Sequence, residues 1–250
     1  MSGTHEEGAG DHSQDPVAGS GPEDGVQDRS TGQGLPPLPA RALQVLISPG
    51  ALFEKLRAQP AWFWMMLLTA LASGLSVWFI PDEAWTAFFR EQALEQGRLD
   101  PSQMPEVGTP FRIFGSLAAS ASLFILALVL SAFTFGVFVF LLGDEGTFKQ
   151  HLAVVAHASV VPAVGAFATL PLRISQLDPQ LTLSVGTLLP FVPGGYFFNV
   201  LQSLDLFALG AAVLTGLGIS VLDSRRTWAS GASVMVGLTV VFATVVAAFI

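Results

Sequence analysis

Five long apolar runs constrain this chain more than any other feature: Trp62–Ile80, Ile113–Leu142, Leu152–Leu172, Leu204–Leu222 and Trp228–Ile250. Each reaches the roughly 17–25 residues that cross a hydrocarbon core about 30 Å thick. Lipid offers backbone N–H and C=O groups no partners, so only helices and closed barrels cross it, and none of these runs alternates like a barrel strand. The expectation is an all-α membrane protein of about five transmembrane helices.

Charge agrees with this. Hydrophobic residues make up 51% of the chain and charged residues 12%, about half the charge of a soluble domain, too little to coat a water-soluble globule. Residues 1–40 hold seven acids and one base, Arg29, and so carry −6 of the net charge of −8. Their Gly, Ser, Asp, Glu, Gln and Pro bias leaves too little apolar surface to offset backbone ordering, so 1–40 reads as a disordered acidic tail and 41–250 as the membrane domain. Such a tail is repelled by nucleic acid and anionic lipid alike, which excludes a DNA-binding arm. It has no basic segment followed by an apolar one, so it does not read as a signal peptide. The run Leu35-Pro36-Pro37-Leu38-Pro39 reads as a polyproline-like spacer. With no cysteine in the chain, disulfides and thiolate sites are excluded.

Two short amphipathic helices are expected beside the first span. After Ser48-Pro49, an N-cap with Pro at the first helical position, Leu52, Phe53 and Leu56 recur at helical spacing before Pro60. This helix is expected to lie in the headgroup region with its apolar stripe toward lipid, anchored by Trp62 and Trp64. Asp82–Gln96 repeats the pattern with Trp85, Phe88, Phe89 and Leu94 assigned to one side, lying flat on the opposite face of the membrane. Arg41, Lys55, Arg57, Lys149, Arg225 and Arg226 on one side outnumber Arg90, Arg98, Arg112 and Arg173 on the other, which favours a cytoplasmic N-terminus. Leu181–Phe198, broken by Gly186, Pro190, Pro193, Gly194 and Gly195, is expected to be re-entrant or interfacial.

Small residues let helices approach closely in lipid. Ala208, Ala212, Gly216 and Ser220 form a stripe on the fourth span, and Gly115 with Ala119 and Ala118 with Ser122 do so on the second. These are packing faces, internal or between copies of the chain. His157 and Asp205 are the intramembrane polar candidates. The first is expected to make an interhelical hydrogen bond and the second to cap the fourth helix, with an ion or proton site as the alternative. His151 and His157 lie about 240° apart on a helix and form no two-histidine metal face. There is no phosphate-binding loop, no His-Glu-x-x-His and no Gly-x-Ser-x-Gly, so no enzyme, cofactor or metal is expected.

The most distinctive loop is Gly143-Asp144-Glu145-Gly146-Thr147-Phe148-Lys149. Gly143 is expected to close one helix, Gly146 to take a left-handed angle, and Thr147 to cap the next helix, leaving Phe148 and Lys149 at the interface. From Gly143 through Gln150 into Val154-Val155-Ala156-His157-Ala158, the stretch resembles the Gly-Gly-x-Gly-Ser/Thr-Phe-Lys turn of the Yip (Ypt-interacting protein) domain family, bacterial branch. Ser48-Pro49 with Phe53 is similar to that family's pre-span helix, and Leu204-Asp205-Leu206-Phe207 followed by Gly216-Leu217-Gly218 is similar to its fourth span. The chain departs from the pattern at Asp144, where a second glycine is usual, and at Ala208-Leu209-Gly210, where a Trp often follows.

The resemblance implies a five-span membrane protein without a settled biochemical role. Eukaryotic members bind prenylated Rab GTPases in Golgi and ER membranes, but the tail here does not match their segments and that activity is not carried over. The expected function is a non-enzymatic scaffold in the bacterial cytoplasmic membrane. Its expected partners are the lipid bilayer and a membrane or cytoplasmic protein, or a second copy of this chain. A transporter or lipid-translocating protein is the alternative.

Overall fold

The computed structural model describes residues 34–97 and 106–249, all helix and connecting turn without a strand. Of the expected disordered tail, residues 1–40, residues 1–33 lie outside the described residues, whereas 38–40 are ordered as the start of the first helix. Two helices precede the first span: α1 (Leu38–Ile47) and α2 (Pro49–Ala58). Then come α3 (Phe63–Trp78), α4 (Asp82–Glu95) and α5 (Thr109–Phe135), the last continued by a π-helical turn over Gly136–Leu141. The third leg runs as α6 (Phe148–Ala158), α7 (Val160–Ala168) and α8 (Leu170–Gln176). Short α9 (Val185–Leu188) and α10 (Tyr196–Ser203) lead to α11 (Leu206–Leu222) and α12 (Trp228–Val246).

All five apolar runs are helical, and they form five antiparallel legs of unequal reach. Thr109–Leu141, Phe148–Gln176 and Trp228–Val246 are long and apolar enough to cross a membrane. The other two fall short: α3 has 16 residues and bends by 82° into α4, and α11 has 17. At 1.5 Å per residue these legs are about 24–26 Å long. The apolar count alone overstates α11 because Leu204 and Asp205 precede its first turn.

The exterior explains the composition. Along α5 only Ala127, Ser131 and Thr134 are buried, continued by Phe138 in the π turn, a single narrow stripe at 4-3-4 spacing. Phe114, Leu117, Ile125, Leu126 and Val129 of the same helix are exposed. An apolar surface of this extent is a lipid-facing one. At the centre stands α6, buried at every residue from His151 to Ala158 and touched by α2, α3, α5 and α11. Pro162 and Pro171 remove backbone donors from the third leg, and the leg divides at Ser159 and Thr169, whose hydroxyls bond back to Val155 and Gly165 carbonyls at 2.9 and 3.0 Å.

Several expectations are corrected. Leu38 and Pro39 belong to the first turn of α1, not to a spacer, because proline suits the first turn of a helix. The apolar stripe of α2 does not lie on lipid: Leu52, Phe53 and Leu56 are at most 1% exposed and join Val45, Val154 and Ile219 in the main core. In α4, Trp85 packs with Phe88, Phe89 and with Phe111 of α5, but Leu94, about 180° around the helix, is exposed on the other side. Arg112 pins the α3–α4 corner by donating to the Trp78 carbonyl, pairing with Asp82 at 3.6 Å and lying 4.6 Å from the Trp78 ring. The close contact of α3 with α5 does not use the Ala118/Ser122 line, which is exposed. Instead a Cβ on Gly74 would run into Ser120 and the Ser116 carbonyl.

Candidate functional site: a clasp between two loops

At the end of the bundle where α6 begins and α11 stops, two loops lock together. The first is Gly143–Thr147. Gly143 (φ 70°) and Gly146 (φ 144°) take backbone angles that favour glycine, so the chain can turn sharply out of the π turn and into α6. Thr147 closes the turn with a capping box: its hydroxyl accepts from Gln150 N, and the Gln150 side-chain oxygen Oε1 accepts from Thr147 N at 2.8 Å. Gln150 also donates to the Arg57 carbonyl at 2.8 Å, tying the loop to the end of α2.

The second loop is Asp223–Arg226. Asp223 accepts from Arg225 N at 2.8 Å, an Asx turn, and from the Arg225 side chain at 2.6–3.2 Å. It then reaches across to accept from Glu145 N at 2.9 Å, while Arg225 donates to the Gly143 carbonyl at 2.9 Å. Arg226 forms a two-pronged pair with Asp144, donating through Nη2 at 2.7 Å and through Nε. Those side chains are 13% and 7% exposed, and Arg226 lies 5.1 Å from the Phe138 ring and 3.0 Å from Ser230 Oγ. The Arg225 guanidinium, aided by the two backbone donors, holds the Asp223 carboxyl well below the usual carboxylate range. Asp223 raises Arg225 in turn, and Asp144 raises Arg226.

Under the clasp lies His151, fully buried, with Nδ1 3.4 Å from Thr134 Oγ1 and its ring against Phe135 and Phe138. His157 is also fully buried. Its Nδ1 bonds to the Ala153 carbonyl at 2.8 Å, within its own helix, so the expected interhelical bond is replaced by an intrahelical one. Asp205 sits at the opposite end of the bundle and caps α11 by accepting from Ala208 N at 2.7 Å. No hydrogen bond or ion pair joins it to His157. Of the fourth-span stripe, Gly216 and Ser220 face α12, where a Cβ on Gly216 would overlap the Gly231 backbone, whereas Ala208 is exposed and Ala212 lines a cavity. Phe148 and Lys149 are exposed beside the clasp.

The sequence model of the Yip1 domain matches residues 43–250. The chain belongs to the Yip1 domain family. No curated protein and no solved structure matches it. The matched Yip1 domain begins inside α1 and includes every leg of the bundle and both loops of the clasp. At Asp144, where this chain departs from the glycine usual in the turn, the structure places a carboxylate directly on Arg226 of the other loop. Sequence reasoning missed Asp223 and took Arg225 and Arg226 only as topology charges. The available signal was Asp223-Ser224-Arg225, an acid just past a helix with backbone donors two residues on.

Proposed function

We propose that this Yip1 domain protein is a non-enzymatic membrane scaffold and that the clasped end is its recognition face. The observation that carries this reading is the mutual locking of two loops 78–82 residues apart in sequence, which fixes a polar surface before any partner arrives. A preformed surface binds without the cost of ordering it. On its rim stand the exposed side chains of Arg57, Glu145, Lys149 and Arg225. The same end gathers Arg57, Lys149, Arg225 and Arg226, four of the six Lys and Arg residues that favour a cytoplasmic N-terminus, so the face looks into the cytoplasm of a bacterial cell. A fully buried His157 bonded within its own helix and an Asp205 used as a cap also support a structural role over a transport one.

The test is site-specific photo-crosslinking in intact membranes from Glu145 and Lys149. A discrete protein adduct lost on Asp144→Ala supports the scaffold. A reconstituted protein with proton or lipid flux that His157→Gln or Asp205→Asn abolishes overturns it. Orientation is checked by thiol labelling of intact cells: Ser224→Cys should be shielded and Gln180→Cys labelled by an impermeant reagent, and the reverse pattern refutes the assignment.

A further inference from the structure

Far from the clasp, two opposite charges share a small cavity without meeting. A space of about 150 Å³ between the third leg and α11 is lined by Arg173 and Asp205 together with Pro162, Thr169 and Phe207. Arg173 donates through Nε to the Leu181 carbonyl at 3.0 Å, and Asp205 accepts from Ala208 N through Oδ1 at 2.7 Å. Among the described residues neither makes a further side-chain hydrogen bond, and the two form no ion pair with each other. Asp205 is held rigidly: Val185 N donates to the Leu204 carbonyl at 2.9 Å and Leu206 N to the Leu183 carbonyl at 2.8 Å on either side of it. Arg173 lies in the last turn of α8 and Asp205 immediately precedes α11, so both sit at span ends, the level of the lipid headgroups.

This polar cavity adjoins an apolar one. Ser159, Pro162, Thr169 and Arg173 share one face of the third leg, and Asp205, Ala208 and Ala212 share one face of α11. Pro162 lines both the polar cavity and a second, almost wholly apolar one of about 250 Å³ that Ser159, Ala208 and Ala212 also line. That space shares Leu126, Leu130, Met235 and Thr239 with a third, of about 440 Å³, between α5 and α12. The track is therefore amphiphilic, with a cation and a carboxylate at the membrane surface and an apolar slot beneath them.

We propose that this track binds one phospholipid whose headgroup carries a phosphate and a primary ammonium. The Arg173 fork suits phosphate oxygens, and the free Asp205 oxygen suits the N–H donors of an ammonium, which a quaternary ammonium lacks. An acyl chain fills the apolar slot, and this selects the lipid over a free zwitterion of the same head chemistry. The site stands apart from the clasp, so crosslinking at Glu145 and Lys149 reports on the scaffold reading independently.

The experiment is native mass spectrometry of the full chain in detergent, titrated with phosphatidylethanolamine, phosphatidylcholine and phosphatidylglycerol of matched chains, and with free O-phosphoethanolamine. Phosphatidylethanolamine should be retained about tenfold more tightly than either other lipid, the worth of a charge-assisted hydrogen bond. Asp205→Asn should erase the preference over phosphatidylcholine while leaving the unfolding midpoint unchanged, because Asn caps as well as Asp. Arg173→Gln should weaken every phospholipid, and Ala208→Leu, which fills the slot from an exposed position, should do the same without touching either charge. Wild-type protein without a preference, an unaltered preference in Asp205→Asn, or free O-phosphoethanolamine bound as tightly as the lipid each overturns the proposal.

Discussion

Removing the Asp144 carboxylate tests the clasp at its more buried ion pair, since Arg225 of the other pair is 64% exposed. Breaking a buried ion pair by deleting one partner costs about 3–5 kcal/mol because the remaining charge is stranded. Here Arg226 keeps 13% exposure, the Ser230 hydroxyl at 3.0 Å and the Phe138 ring at 5.1 Å, so Asp144→Ala is expected to cost about 2–3 kcal/mol. At about 2–4 °C per kcal/mol for a chain of this size, the unfolding midpoint in detergent should fall by about 4–12 °C. Arg226→Met strands Asp144 and should cost a similar amount. The double variant, with both charges gone, should recover most of the loss, since an apolar replacement of a buried pair is close to neutral. Hydrogen exchange should show faster opening of 143–147 and 223–226 in each single variant only. If both single variants melt within about 1 °C of wild type, or the double variant loses the sum of the two, the pair does not hold the loops and the reasoning fails.

Gly216→Ala should destabilise the bundle by about 1–3 kcal/mol, because the added methyl meets the Gly231 backbone, which cannot rotate away; an unchanged midpoint would show that α11 and α12 do not touch there. The Asp223 carboxyl is held below its ordinary value in the fold, so its contribution is complete above the unfolded value of about 4 and drains as pH falls below it. The midpoint should therefore be flat from about pH 8 to 5 and decline in stronger acid, with a shallower decline in Asp223→Asn; an identical acid slope in that variant contradicts the assignment. His157→Leu should be neutral or mildly stabilising, since it removes a buried ring nitrogen without a protein partner; loss of the folded protein would mean that His157 has an essential polar role.

The apolar runs determined the helical class and the order of the legs by themselves, because a chain that must satisfy its backbone in lipid has few alternatives. Local rules also reached the loop glycines, the Thr147 cap and the Asp205 cap, each of which depends on groups within about four residues. The destination of each apolar face was out of reach. Periodicity shows that Leu52, Phe53 and Leu56 share a side of α2, but lipid and protein interior are equally apolar, and only tertiary packing placed that side in the core. The small residues divide in the same way: Gly216 meets α12, while Ala208 and Ala212 border an open track, because helix crossing geometry, not spacing, decides where backbones touch. The clasp lay furthest from the sequence. Asp144 and Arg226 are 82 residues apart, and a salt bridge between loops exists only once five legs have brought the ends of α6 and α11 together.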